Sequence, residues 1–291
     1  MFPLLISFGP FKLYTLALIA LIGFFAGLFV VWKRGKELHY EEKDLFDIVF
    51  VVLFWMFIGA RLGYIATHFT DFWGNMVKAL NFISHPGWYF PMGVVGASVA
   101  LYFQAKKHKW DLFQLLDLFA TGIVLTQAIM SLGTFLAGID YGLPTTSFIG
   151  LPFSGVFDRR IPIQLLEFVG YLACFCYLWR VEGVYRTFTW YKRHRSQAET
   201  GYLMSIYLCW WGLVSLIAVL FKTPQMVWGG IRFDVFVSMI SIIGGAWLLL
   251  YRSGTTPLDM RDAILGYFGL GKTRNQKAKE RLDTIRNLLD E

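Results

Sequence analysis

Residues 57–64, "FIGARLGY", lie in an apolar run in which the nearest charged neighbours of Arg61 are Asp47 and Asp71. Carrying a guanidinium into a bilayer costs about 2.5–3.5 kcal/mol on insertion scales, so such a residue is expected to face a partner or a cavity. Gly59 and Gly63 stand four apart, the small-xxx-small spacing that lets two helices approach closely. The stretch therefore reads as a membrane helix built for tight packing, with one cation inside it.

The rest of the chain shares this character. Of its 291 residues, 56% are hydrophobic and 16% charged, which places it with membrane proteins rather than soluble domains. Apolar runs of about 20 residues, each able to cross a hydrocarbon core about 30 Å thick, recur seven times. They cover roughly 13–32, 47–67, 88–105, 112–138, 163–180, 202–221 and 231–251. The third is interrupted by Pro91, Gly93 and Gly96, so it is expected to be broken or re-entrant. The expected fold is an all-α integral membrane protein with seven transmembrane helices.

Basic residues accumulate on the cytoplasmic side of membrane proteins. Segments 33–46, 106–111, 180–201 and 252–291 hold 20 of the 27 Lys and Arg residues, and the alternate segments hold six. Seven spans, an outer N-terminus and a cytoplasmic C-terminus satisfy this alternation; an even count does not. The net charge of +7 is then a matter of topology and of attraction to anionic lipid, not of nucleic-acid binding. Lys12 is the only basic residue ahead of the first run, so that run reads as its own targeting signal. Cys174, Cys176 and Cys209 all fall within spans with no ligand cluster beside them, so neither a metal nor a cofactor is expected.

The chain divides into a membrane domain, 1–251, and a basic cytoplasmic tail, 252–291. In the tail Ala278, Leu282, Ile285 and Leu289 recur at helical spacing, which suits either a helix on the inner leaflet or a solubilising extension. Residues 139–162, rich in Gly, Pro and hydroxyls, form the longest outer loop and read as turns or short strands.

Within the spans Arg61, Asp117 and Glu167 are ionisable. Arg61 is about 9 Å from the outer end of its run at 1.5 Å per residue, and Glu167 enters the fifth run at a similar depth. The two are placed to pair, with Tyr64 and Gln164 on adjoining turns completing a polar pocket. The alternative is that Arg61 snorkels to the headgroups and Glu167 locks two helices together. Asp117, near the inner face, reads as a helix-end residue reaching water.

These motifs resemble the prolipoprotein diacylglyceryl transferases. "FIGARLGY" is similar to the family's G-G-R-I-G-Y segment, "YFPMGVVGA" (89–97) to its S-F-H-G-G-x-x-G stretch, and "SLGTFLAGIDYGLPT" (131–145) to G-R-x-G-N-F-x-N-G-E-x-Y-G-x-P-T. "RIPIQLLE" (160–167) follows H-P-[ST]-Q-L-Y-E, and the likeness runs in order from about residue 7 to 222. The chain departs from the pattern at Pro91 and Ile161 (His in the family), at Ser131 and Ser215 (Arg), at Thr134 and Ala137 (Asn), and at Ile139 and Val219 (Glu). Asp140 lies beside the substituted Glu position, and Lys222 keeps a cation at the end of the sixth run.

The resemblance implies a multi-pass enzyme of the bacterial plasma membrane that needs no cofactor. Its partners would be phosphatidylglycerol and a lipobox-containing preprolipoprotein, whose cysteine thiol receives the diacylglyceryl group at the outer face. It implies Arg61, Glu167 and Asp140 as catalytic residues, with Asp140 or Glu167 as the base. Arg61, Tyr64, Ser131, Gln164 and Lys222 would bind lipid, with Arg159 or Arg160 assisting at the phosphate. The alternative is a non-catalytic relative that binds phospholipid or a membrane partner in the same cavity. A transporter is disfavoured, since no inverted repeat is found.

Overall fold

The computed structural model describes residues 3–8, 11–73, 87–153, 155–185, 200–223, 227, 228 and 231–253. The amphipathic pattern of the tail lies outside the described residues. Seven long helices occur among those described: α1 (Thr15–Glu37), α2 (Glu42–Thr67), α3 (Phe90–His108), α4 (Leu112–Ala137), α5 (Ile163–Tyr185), α6 (Tyr202–Phe221) and α7 (Phe233–Ser253). They coincide with the seven apolar runs. Five of them, α1, α2, α4, α6 and α7, are long and apolar enough to cross a membrane. Helices α3 and α5 are the other two, with Gln104, Lys106 and Lys107 in one and Gln164, Glu167 and Glu182 in the other.

Helix α3 corrects the expectation of a break, because it runs unbroken from Phe90 to His108. Pro91 sits in its first turn, where an absent N–H leaves no helical bond unmade. The glycines serve packing instead. A Cβ on Gly59 of α2 would meet the Gly96 Cα at 3.3 Å, and one on Gly93 would meet the Ala60 side chain at 3.1 Å. The spacing in "GARLG" thus delivers a close pairing of α2 with α3. Helices α1 and α4 meet in the same way, with Gly27 set against Gly122 and Thr126 Oγ1 donating to the Gly23 carbonyl at 3.0 Å.

Two apolar clusters hold the bundle. One joins α4, α5 and α6 through Val124, Ala128, Cys174, Leu178 and Val214. The other gathers Val31, Ile48, Leu101, Leu115 and Leu118, so α1 to α4 are sealed together at one end. Large apolar side chains such as Phe50, Phe103, Leu220 and Ile243 point outward, as a lipid-facing surface requires.

Three small antiparallel ladders sit at helix ends: β1 (Leu4–Phe8) with β2 (Phe11–Tyr14), β3 (Leu151–Pro152) with β4 (Arg159–Arg160), and β5 (Val227–Trp228) with β6 (Ile231–Arg232). The second realises the short strands read in residues 139–162. The first begins ahead of α1, which starts at Thr15 and not at residue 13.

Asp117 does not reach water. It is buried on α4 and accepts hydrogen bonds from the Gly201 and Met204 amides at 2.7 and 2.8 Å. Those are N–H groups of the N-cap residue and the first turn of α6, which the helix cannot satisfy itself. A carboxylate borrowed from a neighbouring helix therefore caps α6 and complements its dipole.

Candidate functional site

The residues singled out from sequence gather in two places. The first lies where the 139–145 segment crosses the ends of α5 and α6. Helix α4 stops at Gly138, whose φ of 75° suits glycine, and the chain turns again at Asp140, a non-glycine residue at φ 61°. A residue other than glycine is uncommon in that region, though Asp enters it more readily than most, and such positions collect at functional sites. The segment is strapped down by the Leu143 amide, which donates to the Phe221 carbonyl at 2.7 Å, and by the Gly142 amide, which donates to Ile161 at 2.9 Å. A side chain at 142 would strike both carbonyls.

This strapping brings Asp140 to Lys222, the residue that ends α6. The Lys222 ammonium donates to Asp140 Oδ2 at 2.6 Å and to Glu167 Oε1 at 2.7 Å, so one cation joins two carboxylates. Burial works against the ammonium, but Glu167 and Asp140 together outweigh it and hold the Lys222 pKa above the usual lysine value. Gln164, one turn before Glu167, is fully buried and donates from Nε2 to the Ile139 carbonyl at 2.7 Å, fixing the backbone next to Asp140.

The second place lies between α2 and α3. Arg61 is buried, donates from Nη1 to the Gly87 carbonyl at 3.0 Å, and lies 5.6 Å from the Tyr64 ring centroid and 5.8 Å from that of Phe72. Tyr64 stacks on His68 at 4.3 Å and covers Gly87, which has no room for a Cβ. The Tyr89 amide closes this group by donating to the Ala60 carbonyl at 2.9 Å.

The expected pairing of Arg61 with Glu167 is therefore replaced. Among the described residues Glu167 pairs with Lys222, and no ion pair joins it to Arg61. The snorkelling alternative fails too, because Arg61 is enclosed by protein. Lysine takes the place because Lys222 sits at the mouth of α5, directly opposite the carboxylate. Sequence depth alone could not separate these two cations.

Ser131 is buried on α4, with Oγ donating to the Gln127 carbonyl of its own helix at 3.0 Å. Arg160 lies with its guanidinium 5.4 Å from the Tyr141 ring. Sequence reasoning passed over Arg232, which donates to the Lys222 carbonyl at 2.8 Å and so steadies the triad from behind. The available signal was that Lys222 and Arg232 are the two basic residues of a segment on the cation-poor side. Tyr89, against Phe233 at 6.3 Å, links the two groups across the start of α7.

A family model described as prolipoprotein diacylglyceryl transferase matches residues 3–251, nearly all of the helical part. The chain belongs to this family. A phosphatidylglycerol–prolipoprotein diacylglyceryl transferase of Clostridium tetani is 25% identical over 84% of this chain and 96% of its own length. Proteins of the same name from Streptococcus suis and Francisella tularensis are 24% and 25% identical, covering 86% and 95% of this chain. The Lys222 triad and the Arg61 cage both lie within the matched residues. Ser215 approaches the Tyr171 hydroxyl at 3.5 Å.

Proposed function

We propose that this chain is a phosphatidylglycerol:prolipoprotein diacylglyceryl transferase of the bacterial plasma membrane, acting at its outer face on a lipobox cysteine. The observation that carries the reading is the Lys222 ammonium held between Asp140 and Glu167 at 2.6 and 2.7 Å, on a strained loop at the helix ends. Three such charges leave an excess of one negative. That balance suits a base that accepts the thiol proton and does not suit the binding of a phosphate.

The reaction balances as follows in this reading. Asp140 or Glu167 takes the proton of the cysteine thiol; the sulfur attacks the diacylglycerol carbon that bears the phosphate; the carbon–oxygen bond breaks and glycerol phosphate leaves, taking up the proton. Positioned proton transfer of this kind contributes about 10²–10⁴-fold. Arg61 and Arg160 are the guanidiniums that would meet the phosphate, where charge develops as the bond breaks. Lys222 is a positioning residue, since it holds the two carboxylates together.

A second reading has its own observation. Ser131 is satisfied inside its own helix, and Lys222 is already balanced by carboxylates, so two positions where the family carries cations offer a phosphate little here. A relative that binds phospholipid or a membrane partner without turnover would show this pattern. The test supplies purified protein with phosphatidylglycerol and a lipobox peptide and follows the diacylglyceryl thioether by mass spectrometry, with Glu167→Gln and Asp140→Asn in parallel. Product from the parent, lost in a folded carboxylate variant, supports the transferase. Absence of product from a folded parent that still binds phosphatidylglycerol establishes the second reading.

A further inference from the structure

The loop 144–160 divides its apolar side chains in a way the reaction does not explain. Phe153 is 3% exposed, packed on Tyr141 at 5.2 Å and on Phe135, in the last turns of α4, at 6.3 Å. Phe148 is 90% exposed, Ile149 53% and Phe157 109%.

Pairing fixes where the segments carrying these side chains join the ladder. Arg160 faces both Pro144 and Leu151, while Arg159 faces Pro152 and accepts from the Thr145 amide at 2.9 Å. Thr145 and Pro152 thus flank the same residue: the segment carrying Phe148 leaves the ladder at its Arg159 end and re-enters it at Leu151, opposite Arg160, while the turn carrying Phe157 closes the Arg159 end. Because Phe153 in the second turn touches Phe135, the ladder lies across the end of α4 rather than standing away from it. Leu136 and Ile139, at the same end of α4, are exposed as well.

We infer that Phe148, Ile149 and Phe157 form an interfacial anchor that inserts into the bilayer surface at this end of α4. Large apolar tips in water are a poor arrangement for an isolated loop, whereas aromatic side chains at the headgroup level are a standing feature of membrane proteins. Arg159 is exposed and Arg160 half-buried on the same strand, and they outnumber Asp158, so the loop carries the charge that anionic headgroups attract. The anchor holds Asp140 and Arg160, at the two edges of this loop, level with the headgroups of the leaflet. It does not depend on whether the chain turns over.

The test uses the full chain with Cys174, Cys176 and Cys209 replaced by alanine. A new cysteine is introduced as Phe148→Cys or Phe157→Cys, labelled with NBD and reconstituted in nanodiscs of phosphatidylcholine and phosphatidylglycerol. Both sites are exposed, so a folding failure at one leaves the other as an independent reading. Glu41→Cys serves as the water-exposed reference. The expected result is a blue-shifted emission, quenched several-fold more by nitroxide lipids labelled near the headgroup than by a water-soluble nitroxide, with the opposite order at residue 41. Water-soluble quenching as strong as at residue 41 overturns the anchor. So does protection from that quencher that arises only when a lipobox peptide is added, which would assign the surface to a protein partner.

Discussion

Arg61 and Lys222 are both buried or half-buried cations at helix ends and interfaces, and the fold holds them by different means. Arg61 lies between rings, with Tyr64 and Phe72 beside its guanidinium and the Gly87 carbonyl at 3.0 Å. Lys222 is held by opposite charge, its compact ammonium within 2.7 Å of two carboxylates. A planar, weakly hydrated guanidinium suits flat apolar walls, whereas an ammonium is a point charge that a low-dielectric site must compensate. The cage therefore tests shape and the triad tests charge, and substitutions should separate them.

The largest effect is expected at the triad. Lys222→Met leaves Asp140 and Glu167 without the cation that joins them. Thioether formation should fall about 100-fold or more, within the range for loss of a positioned base. Lys222→Arg keeps the charge and should retain a measurable fraction of the rate. Equal loss in both would mean that geometry, not charge, is what the site requires.

The cage should show the reverse order. Arg61→Met removes a charge-assisted bond worth about 1.5–3 kcal/mol and ring contacts worth about 0.5–2 kcal/mol, so unfolding in detergent should occur at clearly lower temperature. Arg61→Lys should recover little of this, because an ammonium cannot lie flat along Tyr64 and Phe72. Full recovery by lysine would show that Arg61, like Lys222, is held by charge alone.

The contrast also explains what could be read from the amino-acid order. The seven helices were legible because apolar runs of membrane length have few alternative structures, and Gly59 and Gly63 announced the α2–α3 contact by spacing alone. Pro91 misled, since its effect depends on whether it enters the first turn of a helix or a later one, which composition does not reveal. The triad was only half legible: Asp140, Glu167 and Lys222 were all marked, but the partner of Glu167 depends on how residues 139–145 fold back over Phe221. Asp117 was misplaced for a related reason, because its partners are backbone amides of α6, more than eighty residues further along the chain.

A smaller effect is expected from tightening the α2–α3 contact. In Gly96→Ala the new methyl would meet the Trp55 carbonyl and the Gly59 Cα, and overpacking of this kind costs about 1–3 kcal/mol. The variant should disturb the Arg61 side of the molecule and leave the Lys222 triad intact, so melting temperature should fall while the ratio of Lys222→Arg to parent activity is unchanged. A change in that ratio would show that the link through Tyr89 and Phe233 carries strain between the two groups.

The smallest effect concerns pH. A lysine whose pKa is raised on folding contributes its stabilisation fully below the unfolded value of about 10.4, and loses it as pH climbs through the higher folded value. From neutral pH to about 10 the Lys222 contribution should be constant, and above that the parent should lose stability more steeply than Lys222→Met. The comparison with the variant cancels the titration of tyrosines elsewhere in the chain. Parallel curves would mean that the two carboxylates do not stabilise the ammonium beyond its burial cost, and the triad would then be an arrangement held by the loop rather than one that holds it.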